Sequence, residues 1–329
     1  MEHTGKRALV LAGGGAKGSY QIGVWRALQE LDWTPDIITG ASVGTLNGCL
    51  FTMGKIQEAE DLWRSLEIHD VLEVPATLKP EELHTFFLDI IRSGGLNVEP
   101  LAEMIDRLID EEAVRTSPIH FGLVMTELGS LRSVQCPIED IPDGQLKDYM
   151  LASSACFPAL RAHTIDGVSY LDGGYRDNMP TALAQKMGAD ELVCVDLEGV
   201  GITRPNLTGL PTTMVRSYWE LGDILHFDPD TARRNVELGY YDTLRAFGRV
   251  RGCAYAVSTS AESCEDAAAF AWKFQQVQKA VREKYPVTLT ADAALLLANM
   301  KDAQLAPLEA AAEDAGVDPT VFYTTRTLA

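Results

Sequence analysis

The sequence predicts an α/β protein with three layers, α/β/α, built on a mainly parallel central sheet and followed by a mostly helical C-terminal region. Three observations lead there. Short apolar runs such as Ala8–Ala12 and Glu191–Leu197 have the length and composition of strands buried on both faces. Segments with apolar residues three and four apart separate them, as amphipathic helices do. Strands alternating with helices pack as a parallel sheet covered on both sides.

Taken in order, Ala8–Ala12 forms a strand and Gly13-Gly14-Gly15-Ala16-Lys17-Gly18 a loop. Tyr20, Val24, Ala27, Leu28 and Leu31 then recur at helical spacing. Asp36–Thr39 is a second strand, Gly40-Ala41-Ser42-Val43-Gly44 a tight turn, and Val43, Leu46, Leu50 and Met53 mark a second helix ending at Gly54. Residues 55–117 read as helical. One stripe runs through Ile56, Ala59, Trp63 and Leu66, another through Leu101, Met104, Ile105 and Leu108, and both are expected to pack the core. Strands are expected at 118–128 and 130–136, and a hairpin turn at Asp166-Gly167. Val168–Leu171 is a strand running into Asp172-Gly173-Gly174; helix Thr181–Met187 and strand Glu191–Leu197 follow. Residues 199–212, rich in Gly, Pro and Thr, mark a loop or boundary, beyond which Ala267–Glu283 and Thr290–Met300 read as helices. The expected domains are therefore 7–200 and a C-terminal extension, 201–329.

Composition narrows the function. The chain has 329 residues, 46% apolar, enough to bury a large core without staples. Its 28 Lys and Arg against 47 Asp and Glu leave a net charge of −19, which repels phosphate backbones and disfavours docking on anionic membranes. No nucleic-acid partner is expected. No stretch reaches the ~18 apolar residues of a membrane span. The first residues, Met1 to Arg7, show no signal-peptide apolar segment. Six cysteines, none in a CxxC pair, read as reduced thiols, so a cytoplasmic location is expected. The histidines show no metal-ligand spacing, so neither metal nor cofactor is expected.

The chemistry gathers in three short segments. Gly13, Gly15 and Gly18 satisfy G-x-G-x-x-G between a strand and a helix, the dinucleotide fingerprint. That reading wants an acidic residue ending the second strand, where Gly40 stands, while a phosphate loop would need lysine where Ser19 stands. A nucleotide-binding protein remains the alternative. Physically, the loop exposes N–H groups at a helix N-terminus and so binds an anion, which in an esterase is the oxyanion of a tetrahedral intermediate. Gly40-Ala41-Ser42-Val43-Gly44 is a G-x-S-x-G between a strand and a helix, a context that exposes a serine hydroxyl on a strained turn. The plainer reading makes Ser42 a helix N-cap. A nucleophilic serine needs a base. The order Ser42, Asp172, His226 fits a triad, but Ser42 comes after only two strands, too early for an α/β-hydrolase. Asp172, ending an apolar strand before two glycines, is the better base, since α/β sites gather at the carboxyl ends of parallel strands. Its plainer reading is a turn aspartate.

Together these segments resemble the patatin-like phospholipase family. The resemblance rests on Gly13-Gly14-Gly15-Ala16-Lys17-Gly18, on Gly40-Ala41-Ser42-Val43-Gly44 with Asn47, and on Asp172-Gly173-Gly174 with Asn178 and Pro180. Ala152-Ser153-Ser154-Ala155-Cys156-Phe157-Pro158 also looks like the family's small-residue segment before the aspartate strand. The likeness spans roughly residues 7–200. It implies a catalytic dyad of Ser42 and Asp172, with no histidine and no metal. It further implies an oxyanion hole in the loop Gly13, Gly14, Gly15, Ala16, Lys17 and Gly18, with Gly40 and Gly44 shaping the nucleophile turn and Gly173 and Gly174 the dyad loop. Lys17 stands where the family usually has arginine. The implied activity is hydrolysis of acyl esters of phospholipids, lysophospholipids or related lipids, met as monomers, in micelles or by transient membrane contact. Substrate class and oligomeric state are not readable from the C-terminal region.

Overall fold

Arg7–Leu11 forms strand β1, in which Ala8, Leu9, Val10 and Leu11 are all fully buried, as a strand at the centre of a doubly covered sheet requires. The computed structural model describes residues 5–73, 95, 96, 98–204, 206–284, 302 and 305–329. They divide into two units: Met1–Ser217 with Leu221–Tyr240, and Tyr218–Glu220 with Tyr241–Ala329.

In the first unit β1 is followed by a 3-10 turn, Gly15–Gly18, and helix α1, Ser19–Glu30. Strand β2 (Ile37–Gly40) leads into α2 (Val43–Thr52), then α3 (Ile56–Ser65), α4 (Ile68–Val71), α5 (Glu99–Leu108) and α6 (Glu111–Thr116). Strands β3 (His120–Glu127) and β4 (Ser133–Pro137) precede α7 (Leu146–Ser153). The hairpin β5 (His163–Ile165) and β6 (Val168–Asp172) follows, then α8 (Gly174–Asp177), α9 (Thr181–Lys186), β7 (Glu191–Asp196) and β8 (Thr212–Arg216). Helix α10, Pro229–Ala246, begins in this unit.

The eight strands form one sheet in the order β5-β6-β3-β2-β1-β7-β8, with β4 paired to β3. The run β3-β2-β1-β7-β8 is parallel; β4, β5 and β6 are antiparallel. Helices between parallel strands supply the covering layers. Asp166 and Gly167, both with positive φ, make the two-residue turn that joins β5 to β6.

Register places the chemistry. Leu11 pairs with Gly40, and Gly40 with Leu123, so the glycine loop and the serine turn leave adjacent parallel strands at one level. Met125, two residues beyond Leu123, pairs with Asp172, two residues being also the step from Gly40 to Ser42. The expectation that Asp172 ends a parallel strand is corrected here. It descends on antiparallel β6, and the hairpin register brings it to the edge where β1 and β2 end.

Helix α1 crosses α10 backbone to backbone. A Cβ on Gly23 would collide with the Val236 carbonyl, and one on Gly239 with that of Tyr20. Arg26 adds a bidentate ion pair to Glu237, at 2.7 Å for the closer nitrogen.

The second unit contains α11 (Ala261–Lys284), α12 (Ala306–Asp314), α13 (Thr325–Leu328) and a small parallel pair, β9 (Ala256–Val257) with β10 (Phe322–Tyr323). Tyr255, Ala267, Leu305 and Leu308 pack its core. The buried Glu309 carboxylate accepts N–H bonds from Cys253, Ala254 and Tyr255 at 2.7, 2.9 and 3.0 Å, a concave backbone site filled by the chain's own anion. Strands β8, β9 and β10 lie where only loop or helix is expected from the sequence. The expected helix Thr290–Met300 falls outside the described residues.

Candidate active site

Ser42 is held in a conformation few non-glycine residues adopt, φ 53 and ψ −126. Such strain persists only where the surroundings over-determine it. Here the Ser42 N–H donates to Ser153 Oγ at 3.1 Å, and the Ser153 hydroxyl donates to the Val124 carbonyl at 2.7 Å. Thr45 Oγ1 lies 2.9 Å from the same Ser153 oxygen. The Ser42 carbonyl accepts from Thr45 N–H at 2.8 Å, and Gly44 N–H reaches the Ala41 carbonyl at 2.8 Å. Every backbone contact of the turn is thus committed to holding it while the side chain is left over. The Ser42 side chain makes no capping bond to α2, which removes the N-cap reading.

That hydroxyl lies instead beside the carboxylate of Asp172, close enough to lower its proton affinity. Gly174 N–H donates to Asp172 Oδ1 at 2.8 Å, so the turn-aspartate role and the contact with Ser42 coexist. The main chain of Asp172 is pinned on both sides: its N–H meets the Ala155 carbonyl at 2.9 Å and its carbonyl takes the Thr126 hydroxyl at 2.9 Å. Burial pushes its carboxyl up to about 6, opposed by the Ser42 hydroxyl and the Gly174 N–H. A carboxylate with that affinity for a proton is ionised at neutral pH yet basic enough to accept one.

The glycine loop lies against this pair, with the Gly13 backbone too close to Ser42 and Asn178 to admit a side chain. Gly13 N–H bonds Asn178 Oδ1 at 3.1 Å, Ala16 N–H the Ile224 carbonyl at 2.8 Å, and Lys17 N–H the Gly14 carbonyl at 3.2 Å. Among the described residues the N–H groups of Gly14 and Gly15 have no acceptor, and both residues line the same cavity as Ser42. Two uncommitted amides beside a serine hydroxyl are the donor set an oxyanion requires. Gly15 has φ +55, and a Cβ there would strike the Ile224 carbonyl, so only glycine fits. Lys17 Nζ turns to the Glu198 carbonyl at 3.2 Å and ties the loop to the segment after β7. Asn47 is fully used, donating to the Gly18 carbonyl and Gln21 and accepting from Trp63 Nε1 at 3.0 Å. Gly40 closes β2, and Gly173 and Gly174 open α8 under Asp172.

From this cluster a cavity of about 110 Å³ runs inward, well beyond the roughly 10–15 Å³ that a single water needs. Its mouth carries Ser42, Asp172, Ser154 and Cys156; its walls are apolar. Val43, Leu46, Asn47 and Leu50 line it from α2, and Leu101, Met104, Ile105 and Leu108 from α5. The α5 stripe, Trp63 of α3 and Leu66 just after it therefore face a cavity as well as packing, which corrects their reading as core alone. Desolvation pushes the half-buried Cys156 thiol up to about 11, with the Asp172 charge adding to the effect. Among the described residues no histidine, lysine or arginine lines the cavity. His163 pairs with Asp148 at 2.9 Å, and His226 is likewise not a lining residue. Among the described residues no cluster of His, Cys, Asp or Glu could hold a metal ion, and no helix is long and apolar enough to cross a membrane. Sequence reading placed Ser153 only within the small-residue segment, with no role, and did not reach Ile224; they act through a side-chain oxygen and a backbone carbonyl that no spacing rule marks.

Comparison with known proteins places this arrangement. An uncharacterized NTE family protein of Mycobacterium tuberculosis is 30% identical over 223 residues, covering 66% of this chain and 58% of the relative. Patatin-like phospholipase domain-containing protein 7 of Rattus norvegicus is 30% identical over 193 residues, and protein 6 of Homo sapiens 26% over 263. The matches cover 58% and 75% of this chain but 13% and 18% of those longer proteins. Among solved structures, VipD from Legionella pneumophila aligns over 75% of this chain and 67% of its own, with a TM-score of 0.48 and 15% identity. The family described as Patatin-like phospholipase matches residues 9–184, more than half of the chain and all three segments at the cavity mouth. By that match the chain belongs to the patatin-like phospholipase family.

Proposed function

We propose that this chain is a serine acyl hydrolase acting on lipid esters through Ser42 and Asp172. The observation that carries the reading is the strained Ser42 turn, which sets its hydroxyl beside the buried Asp172 carboxylate at one apolar cavity. Ser42 Oγ attacks the ester carbonyl as its proton passes to Asp172. The carbonyl oxygen becomes an oxyanion held by the N–H groups of Gly14 and Gly15, helped by the N-terminal end of α2. As the intermediate collapses, the C–O bond to the alcohol breaks and the alcohol takes the proton from Asp172. Water, deprotonated by the same carboxylate, then attacks the acyl-Ser42 ester, and the proton returns to Ser42 as the fatty acid leaves. The apolar walls suit an acyl chain. The lack of a described lysine or arginine in the cavity suits neither a nucleotide nor any other phosphate bound inside it.

The test is covalent labelling with a fluorophosphonate probe, read by mass spectrometry, alongside ester turnover. Wild type is labelled on Ser42. Ser42→Ala is not labelled and loses about 10⁴–10⁶-fold in kcat. Equal labelling of both proteins would refute the assignment.

A further inference from the structure

Resting on that reading, the cavity also has a length. We infer that it measures the acyl chain, taking a straight chain of about ten carbons, and that Leu50 sets the limit. The mouth and the far end are fixed by independent contacts. Leu96, just before α5, pairs with the strip beside Leu160: its N–H donates to the Ala159 carbonyl at 2.8 Å, and its carbonyl accepts from Arg161 at 3.3 Å. Leu160 and Cys156 line the cavity near Asp172, so α5 starts at the catalytic end. At the other end Lys55 Nζ donates to the Leu108 carbonyl at 3.0 Å, and Asp110 N–H approaches Met53 Sδ at 3.4 Å. The C-terminal ends of α2 and α5 are therefore tied together, and the two helices run the same way from mouth to floor.

Their lining residues step inward in matched turns. On α2 they are Val43, Leu46, Asn47 and Leu50; on α5, Leu101, Met104, Ile105 and Leu108. Positions spaced in this way share one helix face. Ser42 stands immediately before α2, and Leu50 is the deepest α2 residue to line the cavity. Eight residues at about 1.5 Å each put it roughly 12 Å from the nucleophile along the helix axis. Carbon–carbon bonds of about 1.52 Å at tetrahedral angles advance about 1.25 Å each, so that depth holds about ten carbons. Leu50 is only 3% exposed, and Lys55 N–H binds its carbonyl at 2.9 Å, which fixes the turn that carries it. Among the described residues Asp172 is the sole charged one lining the cavity. Selection inside it thus rests on chain length, and the alcohol portion of the ester stays at the mouth.

The test is a series of straight-chain p-nitrophenyl esters, C4 to C16, kept below their micellar concentrations, with kcat/KM plotted against chain length. In wild type each added methylene raises kcat/KM about three- to fourfold until the chain reaches the floor, and the rise stops near C10. Leu50→Trp moves the break to shorter chains and lowers the C10/C4 ratio about tenfold or more. Leu50→Ala moves it about two carbons longer. Thermal melting confirms that each variant is folded, and Leu108→Phe gives a second way to shorten the cavity should the tryptophan not fit. A profile climbing unbroken to C16, or a break that stays put in the folded variants, overturns the measuring role while fluorophosphonate labelling of Ser42 leaves the hydrolase reading standing. If no ester is turned over and Ser42 does not react, that reading falls and the length limit with it.

Discussion

The two ends of the cavity are built by opposite rules. At the mouth almost every polar atom has one assigned partner: Ser42 N–H on Ser153, Gly13 N–H on Asn178, Ala16 N–H on Ile224, Asp172 between Gly174 and Ser42. The groups left unassigned, the Gly14 and Gly15 amides, are those available to a ligand. At the floor polar bonds hold only the helix ends, and the lining side chains make none; leucines, Ile105 and Met104 are placed by helical repeat and side-chain volume. A site defined by directional bonds fails abruptly when one is moved. A site defined by area and volume changes by degrees.

The largest effect expected is at Asp172. Asp172→Asn keeps an acceptor for Gly174 but cannot take a proton, and kcat should fall by about 10⁴-fold or more, measured as initial rates above pH 7. Stability should move the other way. Burial raises this carboxyl to about 6, above its unfolded value near ~3.9, so the folded state holds the proton more tightly. Stability then declines as pH rises between about 4 and 6, and the full cost of the buried charge is present above that window. The neutral amide of the variant carries no such cost. Chemical denaturation should show Asp172→Asn more stable than wild type at pH 8 by up to about 2–3 kcal/mol, with the difference gone near pH 4. The same titration sets the wild-type pH profile, kcat/KM falling about tenfold per unit below about pH 6.

A smaller break is expected at Gly15→Ala. Its Cβ would strike the Ile224 carbonyl, displacing the two open amides while leaving the cavity walls in place. kcat should drop by about 10²–10³-fold, with a much smaller change in KM, as steady-state kinetics on one ester would show. The mildest change tests the floor. Ile105→Val should cost about 0.5–1.5 kcal/mol of stability and alter kcat/KM by less than about fivefold. A collapse of activity there would break the contrast between the two ends.

The same contrast explains what could be read from the sequence. Strands β1 and β7 were legible because they are unbroken apolar runs, and the β5–β6 turn because Asp166-Gly167 carries its own conformational signal. The glycine loop and serine turn were legible because backbone strain restricts which residues can stand there. Strand β8 was hidden: Thr212–Arg216 buries only Val215 and reads as polar loop. The cavity walls were hidden differently. The α5 stripe has the spacing of any core-facing helix, and periodicity marks an apolar face without saying whether protein or empty space lies beyond it. Ser153 and Ile224 support the site from positions defined only by the folded chain.

The backbone contact between Gly23 and Val236 bears on how little of this chain could suffice. The stretch matched by the family stops at residue 184, yet the segment at 224–227 closes one side of the cavity and anchors the glycine loop through Ala16. That segment is held in place by α10, locked onto α1 where no side chain fits between them. A shortened version cut at the family limit would lose β7 from beside the central strand and the brace behind its anion site together. The smallest excised form that keeps this site braced must therefore reach about residue 240, where the first unit itself ends.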